Sequence, residues 1–288
     1  MFIAVGHNGL RLTSADGTSW SVAQLGKEGE LFRAVAYGAN RFVAVGSYGG
    51  DNITAFSTNG TTWQQGKIEA KYSKYIRGLG YGHEQFLGLG GDPGSVGDSK
   101  PFVVTSGDGD KWSDFQPVPG KHILRRIAWG NERFVAVGDR GRRATSRDGI
   151  TWEDAAETKA LDTLVDIAFG NGLFVGVGLH GLRMSSDDGL RWSPAARGNE
   201  GEHLNAILWT GERFVAIGAG QTYHSADGRN WEHAANKLAP TTAAYGHGRY
   251  VGALWKGKIV TSTDGLVWTE AYKSEHHIEA LAFGKLAS

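Results

Sequence analysis

One phrase recurs seven times along the chain, about every 41 residues between Asp16 and Asp264, and it limits the choice of fold more than anything else in the sequence. It reads Ser-x-Asp-Gly-x-x-Trp, first at Ser14–Trp20. The acidic position holds Asp16, Asn59, Asp108, Asp148, Asp188, Asp227 and Asp264, and a serine stands two residues before each. The motif tryptophans are Trp20, Trp63, Trp112, Trp152, Trp192, Trp231 and Trp268, seven of the ten in the chain. A second phrase precedes each copy: Phe-Val-Ala-Val-Gly at Phe42–Gly46 and Phe134–Gly138, degraded to Tyr250-Val251-Gly252-Ala253-Leu254 in the last unit. Upstream of that lies an apolar stretch ending in an aromatic and usually a glycine, as in Ile127-Ala128-Trp129-Gly130.

Each unit therefore offers four short strands. In the unit of Trp152 they are Leu124–Trp129, Arg133–Val137, Arg143–Ser146 and Thr151–Asp154, each bounded by turn residues. No segment has a sustained helical period. Four strands per unit of about 40 residues predict a propeller blade. The 44 glycines among 288 residues serve turns, because no Gly-X-Y period accompanies them. In the motif, the carboxylate can accept turn amides and the glycine supplies a left-handed residue. Seven equivalent copies suit a scaffold role for these side chains, and one carboxylate per turn is too few for calcium.

The two ends are complementary. The chain opens at Phe2 in a second-strand phrase and closes with Ile278–Gly284, an innermost-strand phrase. We expect an all-β, seven-bladed propeller of four-stranded antiparallel blades over residues 1–288, a single domain whose last blade joins 278–284 to 2–22.

Thirty basic residues balance thirty acidic ones, which argues against nucleic acid as the partner. No apolar run approaches the roughly 18 residues of a membrane span. Without cysteine there is no thiol chemistry, and the compartment stays open: no signal peptide is visible, although export is possible. No cofactor or metal is expected.

Ser-x-Asp-Gly-x-x-Trp resembles the Asp-box of sialidases and other BNR-repeat propellers, with the spacing one residue shorter. Together with Phe-Val-Ala-Val-Gly it is similar to WD40/YVTN/BNR-like repeats and to the seven-bladed photosystem II assembly-factor family, whose turn usually carries two glycines. The resemblance covers nearly the whole chain and implies the fold; its shared residues are scaffold residues. The sialidase likeness further implies an arginine triad for a carboxylate, beside a tyrosine nucleophile, its glutamate and an aspartic acid, but on six blades.

Departures from the repeat mark where function can sit. The second-to-third-strand connections Ser47–Asn52 and Gly91–Pro101 read as enlarged loops on one face. Aligned on the aromatic that ends each inner strand, the rim residues are Arg33, Arg77, Arg125, Val165, Asn205, Thr241 and Glu279, followed by Arg126 and Asp166. Clustered arginines suit a carboxylate or phosphate; the alternative is an ion-pair ring with Glu279 and Asp166. His203 and His277, with His276 and His122, offer imidazoles for zinc or nickel, but the blade spacing keeps His203 and His277, on adjacent blades, too far apart for one ion. Tyr72, Tyr75, Trp255 and His180 could stack on a sugar or peptide. The reading that results is a non-enzymatic binding or assembly scaffold for a protein or small anionic ligand. A multivalent carbohydrate-binding propeller and a sialidase-like glycosidase or lyase are the alternatives.

Overall fold

The computed structural model describes residues 1–68, 75–92, 98–156 and 158–286. Seven antiparallel sheets form seven blades. Blades 1 to 6 begin at the innermost strands Leu31–Gly38, Tyr75–Gly82, Leu124–Gly130, Leu164–Gly170, Leu204–Trp209 and Thr242–Gly246. Blade 7 is composite: Ile278–Phe283 pairs with Phe2–Gly6, which pairs with Arg11–Ser14. The last strand thus closes the ring, with Gly284 N donating to Met1 O at 3.0 Å.

Seven apolar clusters lie one between each pair of neighbouring blades. The repeated phenylalanines Phe2, Phe42, Phe86, Phe134, Phe174 and Phe214 are fully buried in them. Each packs on the aromatic ending its own inner strand, as Trp129 does on Phe134 with centroids 4.5 Å apart. The glycine after that aromatic is required by the next blade: a Cβ on Gly38 would stand 2.0 Å from the Tyr81 ring. Close approach of successive sheets accounts for much of the glycine content.

The motif forms the same turn in every blade. In the Trp152 copy, Ser146 Oγ accepts from Gly149 N at 2.8 Å. Asp148 Oδ1 accepts from the Ile150 and Thr151 amides at 2.8 and 2.7 Å. The seven motif glycines have φ between 69° and 81°, where a side chain would be strained.

Two blades depart from the four-strand expectation. Blades 4 and 7 are three-stranded. In both, the residue after the motif tryptophan is a serine that folds back onto the third strand. Ser193 Oγ accepts from Ser185 N at 2.9 Å, and Ser21 Oγ accepts from Thr13 N at 3.1 Å. Ser113 does the same in four-stranded blade 2, accepting from Thr105 N at 3.0 Å, so the serine alone does not remove the outer strand; in blades 4 and 7 the outer segment keeps only the single bridges Arg183–Ala196 and Arg11–Gln24.

Candidate functional site

The residue that enters the inner strand is a β-bulge in six of the seven blades. Register shifts bracket Arg33, Arg77, Arg125, Val165, Asn205 and Glu279. A bulge re-aims its side chain, here toward the mouth of the central channel. The glycine closing Phe-Val-Ala-Val-Gly makes room for it: a Cβ on Gly138 would meet Ile123 O at 2.0 Å, and one on Gly46 would meet Leu31 O at 1.8 Å. Blade 6 tests the rule. Its phrase ends in Leu254, its inner strand pairs without a shift, and Thr241 precedes the strand.

The sequence-expected rim residues come together. Arg33, Arg77, Arg125, Arg126 and Glu279 line a mouth cavity of about 290 Å³. Below it, Arg33, Arg126, Asp166, Asn205 and Thr241 line a second cavity of about 200 Å³. Of the inter-blade ion pairs considered above, the one between Arg126 and Asp166 is present, and Glu279 pairs with a histidine instead of an arginine. Asp166 lies 3.8 Å from Arg126 Nε and accepts from Ile207 N at 2.9 Å. Burial raises the Asp166 pKa, against the pull of Arg126 and the Ile207 and Ile167 amides. Glu279 pairs with His7 Nε2 at 2.9 Å. Arg125 is held by Asp139, a residue outside the expected rim, with Nη2 2.8 Å from Oδ2.

Asp139 follows the glycine of the second-strand phrase, and its counterparts explain the other two arginines. In blade 1 that place holds Ser47, and in blade 2 Gly91. Neither supplies a carboxylate. Arg33 Nε and Arg77 Nε are buried and meet no acceptor among the described residues. Burial lowers the Arg77 pKa, and the neighbouring Arg125 and Arg33 cations lower it further, with Asp139 and Tyr75 opposing. The rim thus has an arc of positive charge across three consecutive blades and a polar arc of Asp166, Asn205 and Thr241.

Other expectations need correction. Ser47–Asn52 is a continued hairpin: Tyr48 still pairs with Asp51, and the turn shrinks to Gly49-Gly50. Its role is structural at Asn52, whose Oδ1 accepts from Ile76 N of the next blade at 2.8 Å. Of Gly91–Pro101, residues 93–97 lie outside the described residues, as does Tyr72. His203 and His277 belong to blades 5 and 7, which are not adjacent. His277 packs on His7 and His203 on His180, each with centroids 5.3 Å apart. Among the described residues, no group of three or more His, Cys, Asp or Glu could hold a metal. Trp255 is 69% exposed and packs on His277 with the two rings tilted by 52°. A tyrosine–glutamate pair does occur, but Tyr223 and Glu202 are buried between blades 4 and 5, with Tyr223 OH donating at 2.5 Å.

No helix among the described residues is long and apolar enough to cross a membrane. No family profile and no curated protein matches the chain by sequence. Solved structures match its shape. YCF48 bound to D1 peptide superposes with a TM-score of 0.59 at 20% identity, covering 80% of this chain and 76% of that one. YCF48 from Cyanidioschyzon merolae gives 0.60 at 14% identity, covering 84% and 85%. The WD40 propeller domain of Doa1 gives 0.63 at 8% identity, covering 86% and 85%. The chain is a seven-bladed β-propeller, closed by its last strand, of the same shape as the YCF48 and WD40 propellers.

Proposed function

We propose that the protein is a binding scaffold whose channel mouth receives the carboxylate or phosphate group of a protein segment or small anionic ligand. The observation that carries this reading is the pair Arg33 and Arg77, guanidinia of adjacent blades with buried Nε groups and no carboxylate in the place where Asp139 serves Arg125. A buried donor without an acceptor costs roughly 1–3 kcal/mol, and an incoming anion supplies two or more charge-assisted bonds. The mouth and inner cavities, about 290 and 200 Å³, suit a side chain or chain end rather than a folded domain. That a propeller of this shape, YCF48, holds a peptide supports a protein partner. Glu279 and Asp166 are engaged by His7 and Arg126, so no catalytic role is assigned to them.

The test uses the repeat itself. Ser47→Asp places a carboxylate beside Arg33 as Asp139 stands beside Arg125. Calorimetry with a hexaglutamate peptide and with inorganic phosphate should show binding to the parent and at least tenfold weaker binding to Ser47→Asp and to Arg77→Gln. Equal binding by parent and variants removes the mouth as the site. A carbohydrate ligand is a second reading, and it belongs to the clefts between blades, where a tryptophan lies beside an arginine and an acid.

A further inference from the structure

Three blades begin their third strand with an arginine, three residues before the motif serine: Arg11, Arg143 and Arg183. Each faces the next blade around the ring. Arg11 Cζ lies 5.9 Å from the Phe32 ring, Arg143 Cζ 5.3 Å from the Trp192 ring and Arg183 Cζ 4.1 Å from the Tyr223 ring. The connection into that next blade brings an acid to each cleft, two residues before its first buried apolar residue: Glu30, Asp162 and Glu202. Burial lowers the pKa of Arg11 and of Arg143, and Glu30 and Asp162 oppose the shift. The acid and the cation therefore sense each other in both clefts.

The third cleft is filled. Tyr223 inserts under Arg183 and bonds Glu202, whose other oxygen accepts from Asn199 Nδ2 at 2.8 Å. In the other two, the place of Tyr223 is taken by Ala55 or Met184, and the place of Asn199 by Lys27 or Lys159. Both are open. Arg11, Lys27, Glu30 and Trp63 line a cavity of about 270 Å³ between blades 7 and 1. Arg143, Lys159, Asp162 and Trp192 line one of about 790 Å³ between blades 3 and 4. Ser193 and Pro194 of the blade 4 outer segment also line the second.

We infer that these two clefts are copies of one binding site for an acidic sugar, a uronic acid in a glycan chain. The chemistry of the four shared residues fits such a ligand. An indole face takes the apolar C–H face of a pyranose. The arginine and lysine are donors for its carboxylate, and the acid accepts from its hydroxyls, through Oδ2 in the case of Asp162, whose Oδ1 is taken by Arg197. Cations outnumber the acid in both copies, Arg11 and Lys27 against Glu30 in one and Arg143, Lys159, Arg191 and Arg197 against Asp162 in the other, which favours a charged sugar over a neutral one. Three blade steps separate the clefts around the seven-bladed ring, so they open on nearly opposite sides. One molecule can then hold two glycan chains or two stretches of one, and gain avidity from a polymer. This site is independent of the channel mouth.

The test is calorimetry of the intact protein with trigalacturonate, maltotriose and inorganic phosphate. We expect trigalacturonate to bind with two equivalents per chain and maltotriose not to bind. Lys159→Gln, an exposed position, should reduce the stoichiometry to one, and Lys27→Gln with Lys159→Gln should abolish binding. Met184→Tyr, which imports the residue that plugs the neighbouring cleft, should also reduce it to one while the melt stays cooperative. Ser47→Asp should change nothing, which separates this site from the mouth. Absence of trigalacturonate binding, or binding untouched by Lys159→Gln and Lys27→Gln, overturns the inference. Equal displacement by inorganic phosphate does so too, because the clefts would then hold any anion.

Discussion

Asp139 closes on Arg125 within one blade, Nη2 to Oδ2 2.8 Å, and in the two preceding blades Ser47 and Gly91 stand where that carboxylate would be. One substitution therefore decides how many guanidinia face the channel. Asp139→Asn should leave the bulge intact and release Arg125. Binding of hexaglutamate should tighten by roughly threefold to tenfold at low salt and fall more steeply as salt rises, because a third cation joins the arc. An unchanged affinity in calorimetry would show that Arg125 does not reach the ligand.

Ring closure depends on one strand. Ile278 is fully buried against Phe2, Ala4 and the blade 6 residues Val251 and Ile259. Ile278→Ala should lower stability by about 2–5 kcal/mol in denaturant titrations. Removing 278–286 should abolish the cooperative melt and produce dye binding, since it bares both an apolar cluster and the edge of Phe2–Gly6.

The motif turns set the acid limit. Burial works to raise the Asp148 pKa, but the Thr151 and Ile150 amides and the Ser146 and Thr151 hydroxyls outweigh it and hold the value near about 2. Asp16 and Asp227 are held lower still by the same kind of bonds. A depressed carboxylate contributes stability above its unfolded pKa and loses it as pH falls through the folded one. Unfolding followed by circular dichroism should therefore set in between about pH 4 and pH 2. Asn59 shows that an amide oxygen serves the turn, accepting from Thr61 and Thr62 at 2.9 and 2.7 Å. Asp148→Asn should thus cost little at neutral pH and lessen the acid dependence, whereas Asp148→Ala should cost about 1 kcal/mol or more.

His277 gives a second pH response at the closing strand. Burial holds its imidazole below the ordinary histidine value, Glu279 opposes this, and His7 adds to it. The unfolded chain then takes the proton more readily, so stability declines as pH drops below about 6.5. Trp255, its ring 4.5 Å away, reports on the change. Its fluorescence should fall over the same range in the parent and not in His277→Gln.

The rim is legible in the sequence because the repeat length does not vary there: the aromatic ending each inner strand lies at a fixed distance from the bulge, so counting back from Tyr37 or Trp129 reaches Arg33 or Arg125. Asp139 is not legible in that way, because it follows a different phrase, and only the antiparallel register carries it alongside Arg125. Ser47–Asn52 looked like a loop because its polar residues break the apolar run, yet Ser47 and Asn52 are buried by their own cross-strand pairing and by blade 2. The shortened outer strands of blades 4 and 7 are not legible in the sequence, because Trp20-Ser21 and Trp192-Ser193 are matched by Trp112-Ser113 in blade 2, which keeps its fourth strand.

Those serines also bear on how the molecule meets others of its kind. A regular outer strand offers the outside world every second amide as a template for another chain. In blades 4 and 7 the third strand's outward amides are taken even without a regular fourth strand: Thr13 and Ser185 donate to serine hydroxyls, and Arg11 and Arg183 donate to Gln24 and Ala196, so a foreign strand finds no free amide at these rungs. The perimeter is thereby made a poor starting point for fibres at the two sheets that have lost their fourth strand.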